Sequence, residues 1–366
     1  MVIKRFCAEG FRNIERCDIP FLEGVNLLYG NNAQGKTNVV EGIYIFARGK
    51  SFRAREDSEL CSFGSEGYRL YVEYSDKNGD NTLELAHFGR QRRRKKNGYP
   101  LKSVREIMGN LRCVLFIPDD LSLVKESPEE RRAFLNVAIG QLDGVYIDDY
   151  SRYKSALENR NCILRNASKG RYYDGDELIS WSEQMAKYAS YIYMCRRDYI
   201  KKLEVYASDS LREISSGEER LSLLYKSDIE GDISDREEIE RIYRERLTSN
   251  IEKEKIVGSS LYGPHRDDME IFINGVSARS FASQGQQRSV VLSLKLGEGE
   301  VCRSCVGEYP VYLFDDVLSE LDGVRREYLL SRLSGKQIII TSCESEGLTE
   351  LADSVIRVTG GRYERS

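Results

Sequence analysis

The segment Gly30-Asn31-Asn32-Ala33-Gln34-Gly35-Lys36-Thr37 constrains this chain more than any other. It fits G-x-x-x-x-G-K-[ST] without a mismatch. Gly24-Val25-Asn26-Leu27-Leu28-Tyr29, of strand character, runs into it, and Val39, Val40, Ile43, Tyr44 and Phe46 follow at helical spacing. A strand, a glycine-rich turn and a helix in that order form a cradle for a polyphosphate. Glycine lets the backbone pass close, and the N–H groups of the turn and the helix N-terminus supply positive potential. Lys36 should reach the β- and γ-phosphates, and the Thr37 hydroxyl should bind Mg²⁺. The competing reading is a chance glycine-lysine turn, which the flanking strand and helix disfavour. Gly30, Asn31, Asn32, Ala33, Gln34, Gly35, Lys36, Thr37 and Asn38 are the candidate nucleotide contacts.

Such a loop needs a carboxylate at the end of a neighbouring strand. The apolar run Val311-Tyr312-Leu313-Phe314 closes on Asp315-Asp316, and Gln337-Ile338-Ile339-Ile340-Thr341 is a second such run; both read as buried parallel strands. Asp315 is placed to hold Mg²⁺, and Asp316 to orient or deprotonate an attacking water. Helix capping is the plain alternative for an isolated Asp pair. A third element, Ser283-Gln284-Gly285-Gln286, precedes Val290, Val291, Leu294 and Leu296. Ser-x-x-Gln fits a capping box, and a capped helix start with a glycine is also a phosphate site. The phosphates of the first loop already have their own helix, so this second one makes most sense presented to the nucleotide of another subunit.

The remaining composition sets limits. In 366 residues, Lys+Arg 55 against Asp+Glu 59 gives a net charge of -4, so any polyanion must be met by a local patch. Nine cysteines without regular spacing fit reduced thiols, and two histidines, His87 and His265, leave little for a histidine-rich metal centre. The absence of a long apolar stretch or an apolar leader predicts a soluble cytoplasmic protein with no membrane partner. Asn97-Gly98 and Asn274-Gly275 predict tight hairpin turns, the second between strands Met269 to Ile273 and Val276 to Phe281. Residues 127 to 215 read as helical. Met185, Tyr188, Ile192, Cys195, Tyr199 and Leu203 predict a helix of ordinary globular length. The fold class expected is α/β with an inserted helical domain. Residues 1–120 and 260–366 would form the nucleotide-binding lobe, residues 121–259 the insertion, and the acidic segment 227–232 a surface loop.

Four of these segments resemble a known set. Gly30 to Thr37, Ser283 to Gln286, Val311 to Asp316, and Ser319-Glu320-Leu321-Asp322 look like the Walker A, signature, Walker B and D-loop motifs of ABC-type ATPases of the SMC group. Gly10-Phe11-Arg12-Asn13, Lys50-Ser51-Phe52-Arg53, Pro118-Asp119-Asp120-Leu121, Ser127 to Leu135 and Gly263-Pro264-His265-Arg266-Asp267-Asp268 narrow the resemblance to the RecF family of bacterial DNA replication and repair proteins. It covers nearly the whole chain. It implies an ABC/SMC-like ATPase head with a P-loop α/β core, using ATP and Mg²⁺. It further implies a homodimer that forms on ATP binding, slow hydrolysis, binding of double-stranded and gapped DNA, and action with RecR and RecO in loading RecA. By the same resemblance Lys36, Asp315 and Asp316 are catalytic, and Thr37 and Asp315 bind the metal. Arg12 and Asn13 adjoin the nucleotide, Ser283, Gly285 and Gln286 contact the γ-phosphate in trans, and Asp322 crosses the dimer interface.

The chain departs from the broader ABC pattern in places. Asp316 replaces the usual Glu, Gln284 a glycine, Thr341-Ser342 the histidine switch, and Pro118-Asp119-Asp120 stands where a Q-loop glutamine would be. For DNA, the candidates are the tract Arg90-Gln91-Arg92-Arg93-Arg94-Lys95-Lys96 and the group Arg48, Lys50, Arg53 and Arg55. Backbone contact without base reading is expected; a solvated basic face is the plain alternative. Two rival functions remain: a P-loop small-molecule kinase, which leaves the second capped helix unexplained, and a non-hydrolysing nucleotide-gated scaffold. A guanine-reading Asn-Lys-x-Asp motif is lacking, and the lone Cys302-x-x-Cys305 pair is a poor zinc site.

Overall fold

A computed structural model describes residues 1–89, 91–103, 105–343 and 347–365. Arg90 of the basic tract lies outside them. The chain divides into two compact units: Met1–Leu121 with Tyr206–Arg220 and Ser283–Ser366, and Ser122–Val205 with Leu221–Ala282. The boundaries differ from those expected. Residues 206–220 group with the first unit and residues 260–282 with the second. The reason for the latter is strand pairing, since Asp268–Ile273 lies antiparallel to Leu221–Lys226.

The first unit holds two sheets. In the nucleotide-side sheet the strand order is Arg362–Arg365, Ser354–Thr359, Val25–Tyr29, Ile338–Ser342, Val311–Asp315, Cys113–Phe116. All neighbours are parallel except the antiparallel terminal pair. The two apolar runs predicted as buried strands therefore sit side by side next to the strand that enters the loop. Every residue of Val311–Asp315 and of Ile338–Ser342 is buried, as expected of parallel strands covered on both faces. Phe116 stacks on Phe314 with ring centroids 4.2 Å apart, in a core that also holds Leu27, Leu292, Leu296, Tyr312 and Ile340.

The other sheet is antiparallel, ordered Ile14–Pro20, Val2–Phe11, Gly67–Asp76, Gly79–Phe88, Gln91–Lys96, Tyr99–Pro100. Its hairpin turns where Asn97-Gly98 predicted, with Lys96 opposite Tyr99 and φ of 50° and 81° at the two turn residues. Gly10 and Phe11 of the Gly10–Asn13 motif end its strand Val2–Phe11.

In the second unit the long helix starting at Gly175 continues to Ile214, 40 residues, across the division between units. The apolar stripe from Met185 to Leu203 predicted an ordinary length, but the buried face continues through Leu178 and Ser182 before it and through Ala207, Ser210 and Leu211 after it, where buried serines interrupt the apolar pattern. The Asn274-Gly275 turn forms, with Ile273 opposite Val276, but the second strand stops at Ser277 because Ala278–Phe281 turns into a short helix. Two of the quoted motifs bind each other here. Arg131 chelates the Asp268 carboxylate through Nε at 2.7 Å and Nη2 at 2.9 Å, and Arg132 donates to the Asp267 carbonyl at 2.8 Å. Arg196, fully buried, donates to the Pro264 carbonyl at 2.6 Å. His265 shares a 2.6 Å hydrogen bond with the Tyr153 hydroxyl, and burial pulls its pKa down to about 4, so it stays neutral. Among the described residues no helix is long and apolar enough to cross a membrane.

Candidate nucleotide-binding site

The loop after Val25–Tyr29 is shaped by glycine where the chain leaves no alternative. A Cβ on Gly30 would lie 2.2 Å from the Val358 carbonyl, and one on Gly35, whose φ is 109°, 2.6 Å from Asn13 Oδ1. The helix Lys36–Arg48 starts directly after it, so its first N–H groups face the loop. Ala33 also has positive φ, 62°. Gln34 is tied to the C-terminal hairpin: the Gly361 N–H donates to its carbonyl at 3.0 Å and the Gly360 N–H to its Oε1 at 2.6 Å.

Lys36 is 4% exposed, and its ammonium donates to the carbonyls of Gly30 at 2.7 Å and Asn31 at 3.0 Å. The Thr37 hydroxyl donates to Asp315 Oδ1 at 2.8 Å. Thr341 completes the acid pair: its hydroxyl donates to the same Asp315 oxygen at 2.8 Å and accepts the Asp316 N–H at 3.0 Å. Burial raises the Asp315 carboxyl above its ordinary pKa, and the donations of Thr37 and Thr341 pull it back. Asp316 has φ of 55°, a backbone state that Asp tolerates better than most residues; it breaks the alternation of the strand end and re-aims the carboxylate.

Cys343 was absent from the sequence-based candidates. Its thiol donates to Asn32 Oδ1 at 2.6 Å and lies 3.7 Å from the Asp316 carboxylate, while Lys36 Nζ donates to the sulfur at 3.4 Å. The signal was its place immediately after an apolar strand that adjoins the loop strand.

Behind the loop, a second cluster is organised by another residue that carries no motif, Glu41. Fully buried, it accepts from Arg12 Nε at 3.0 Å, Arg12 Nη2 at 2.7 Å and the Ser51 hydroxyl at 2.5 Å. Arg53, read as a DNA candidate, places its Nη1 3.7 Å from Glu41 and donates to Asn38 Oδ1 at 3.2 Å, with a side chain still 47% exposed. Asn38 in turn donates to Asn13, and Asn13 to the Ala33 carbonyl at 3.3 Å. Arg12 and Asn13 thus buttress the loop from outside its motif. Lys50 is exposed beyond the end of the same helix.

The capping box at Ser283 forms. The Gln286 N–H donates to Ser283 Oγ at 3.2 Å, and the Ser283 N–H to Gln286 Oε1 at 2.8 Å. The remaining end of the Gln286 amide donates to Glu219 at 2.8 Å. Among the described residues, the partners of Ser283, Gly285 and Gln286 lie away from the Gly30–Thr37 loop. Asp120, in place of a Q-loop glutamine, turns inward: it accepts the Ile117 N–H and pairs with Lys295, both at 2.8 Å, on the helix that Ser283 caps.

The basic tract is the strand Gln91–Lys96, so its side chains alternate between faces. Arg92 pairs with Asp57 at 2.8 Å and Lys96 donates to Asn110 at 2.6 Å, whereas Arg93 is exposed and Arg94 and Lys95 are half-buried.

Comparisons with known proteins place the chain in a family. The family model for the RecF/RecN/SMC N-terminal domain matches residues 2–365. The DNA replication and repair protein RecF of Clostridioides difficile strain 630 is 40% identical over 347 residues, 94% of this chain and 92% of that protein. Its counterpart in Alkaliphilus oremlandii strain OhILAs is 36% identical over 96% of both chains. A solved structure of the recombination mediator protein RecF with ATP, of the RecFOR pathway, superposes with a TM-score of 0.92 at 34% identity, covering 100% of this chain and 97% of that one. The Smc head domain of Pyrococcus furiosus, at 16% identity and a TM-score of 0.57, shares the fold. An SMC-like α/β ATPase head, a loop-to-strand carboxylate site and full-length similarity all coincide, and the chain belongs to the RecF family of DNA replication and repair proteins.

Proposed function

We propose that this chain is an ATP-dependent DNA-binding protein of recombinational repair and replication. It binds ATP with Mg²⁺ and dimerises head to head across two nucleotides. The dimer clamps double-stranded or gapped DNA, hydrolyses ATP slowly, and helps RecR and RecO load RecA at gaps. The observation that carries the reading is the 2.8 Å hydrogen bond between Thr37 and Asp315, which joins the phosphate loop to a strand end 278 residues later. The solved relative with ATP supports the nucleotide, and the names of the relatives support the repair role.

The residues fit the metal. A hydroxyl and a carboxylate oxygen side by side are the hard donors Mg²⁺ takes together with substrate phosphates and water. Bound there, the ion neutralises charge on the phosphates. The rest is done by this chain. The loop amides and the Lys36–Arg48 helix N-terminus hold the polyphosphate. Lys36, already among loop carbonyls, adds the cation that stabilises charge as the terminal phosphoryl leaves. Asp316 orients the attacking water and accepts its proton; being one methylene shorter than Glu, it reaches less far, which favours slow turnover. Ser283, Gly285 and Gln286 offer a capped helix start to the nucleotide of the partner. The short Asp316 side chain is also the one observation that favours the non-hydrolysing scaffold, whereas a small-molecule kinase leaves that helix start without a role.

Sedimentation velocity with and without ATP tests the reading, in the presence of gapped, duplex or single-stranded DNA. The parent protein should dimerise with ATP. Lys36→Met should lose nucleotide binding, and Ser283→Arg should bind ATP yet stay monomeric. Normal dimerisation of Ser283→Arg would refute the trans arrangement, and intact dimers with no phosphate release would leave the scaffold.

A further inference from the structure

The Ser319–Asp322 loop and the start of the helix capped by Ser283 are cross-tied by two arginines, Arg325 and Arg288. Arg325 lies in the first turn of the helix Gly323–Arg332, whose N-cap is Asp322. Its Nε donates to the Ser289 hydroxyl at 2.9 Å, its Nη2 to the Gly285 carbonyl at 3.0 Å, and its Nη1 to the Asp322 carboxylate. The Asp322 carboxylate also accepts the Arg325 N–H at 3.0 Å. A second tie runs from Arg288 Nη1 to the Glu320 carbonyl at 2.7 Å. A Cβ on Gly285 would stand 3.2 Å from Arg325 Nη2, so glycine there leaves room for the guanidinium as well as for a phosphate.

A guanidinium holds its donors in a fixed planar fork. Three of them, spent on a carbonyl, a hydroxyl and a carboxylate from two elements, fix the spacing of those elements. The charge of Arg325 is balanced locally by Asp322, so its contribution is geometry rather than positive potential. We infer that Arg325 is a positioning residue that makes the Ser283 helix start and the Ser319–Asp322 loop one rigid body, so that both meet the partner subunit and its nucleotide in register. This rests on the trans reading above.

The test compares Arg325→Gln, Arg325→Lys and Ser283→Arg for binding of a fluorescent ATP analogue and for ATP-dependent dimerisation. Both Arg325 variants should keep nucleotide affinity within about twofold, because the cis loop is untouched. Each should raise the concentration for half-dimerisation by about tenfold or more, the scale of one lost charge-assisted contact. Lysine keeps the charge without the fork, so rescue by Arg325→Lys overturns the inference. Parent-like dimerisation of Arg325→Gln overturns it alone if Ser283→Arg is monomeric. If Ser283→Arg dimerises, the trans reading falls and the inference with it. Should Arg325→Gln not fold, Ser289→Ala, which removes the acceptor of Arg325 Nε at a buried position, decides: weakened dimerisation with intact nucleotide binding supports the inference, and parent-like dimerisation overturns it.

Discussion

Replacing Glu41 by alanine removes the anion around which the back of the phosphate loop is organised. Its carboxylate is fully buried, receives both Nε and Nη2 of Arg12 and the Ser51 hydroxyl, and has Arg53 at 3.7 Å. Breaking a buried ion pair from one side costs about 3–5 kcal/mol, because the remaining charge is left without a partner. Here the stranded cations regain water, since the Arg12 side chain is 20% and the Arg53 side chain 47% exposed. The loss should therefore fall lower, at roughly 2–3 kcal/mol. At about 2–4 °C per kcal/mol for a unit of this size, the unfolding midpoint drops by about 4–12 °C. Calorimetry on the nucleotide-free protein measures it. Arg12→Ala should be at least as damaging, because it leaves the fully buried carboxylate short of its main partner, and the double variant should be milder than the sum by about 1 kcal/mol or more. Nucleotide affinity should fall as well, since Asn38 is held by Arg53 and ties Asn13 to Ala33. A Glu41→Ala midpoint within about 1 °C of the parent, or strict additivity in the cycle, would refute the reasoning.

Three further outcomes are expected. Charge reversal at Arg93 and Lys95 should weaken duplex binding more than reversal at Arg92 and Lys96, which already have Asp57 and Asn110. Each lost phosphate contact should flatten the salt slope by about 0.9, and binding that is unchanged across salt concentrations would remove the strand from the interface. Cys343 is exposed, with its thiol against Lys36 and Asn32. Alkylation there should block nucleotide binding and ATP should slow the alkylation, as read by mass spectrometry; equal rates with and without ATP would place the thiol outside the site. Burial pushes the Glu298 carboxyl up to about 7, with Lys295 opposing and Asp120 adding to the rise. The folded state thus holds that proton more tightly than the unfolded chain, a stabilisation complete below the ordinary carboxyl range and lost as pH rises through about 7. Glu298→Gln should gain on the parent in unfolding midpoint between about pH 5 and about pH 8; a constant difference would show that Glu298 does not titrate there.

Local chemistry that repeats at fixed spacing was legible from the sequence. The glycine loop with its flanking strand and helix, the apolar runs ending in Asp315-Asp316 and Thr341, both Asn-Gly turns and the Ser283 capping box all depend on neighbours within a few residues. Only the tertiary structure decided which distant residues meet. Glu41 reads in sequence as one more polar residue of a helix, and becomes the hub of the loop only when that helix packs on the strand Val2–Phe11, with Gly42 against the Phe6 ring, and meets Arg12 just beyond the strand's end. Cys343 reads as a strand terminus, and enters the site because Ile338–Ser342 lies beside Val25–Tyr29. Arg53, read for its charge as a DNA contact, is drawn to the loop by Asn38 and Glu41. Sequence spacing determined the elements because their hydrogen bonds are local; the site was decided by long-range burial, which selects partners by where packed elements leave a charge without water.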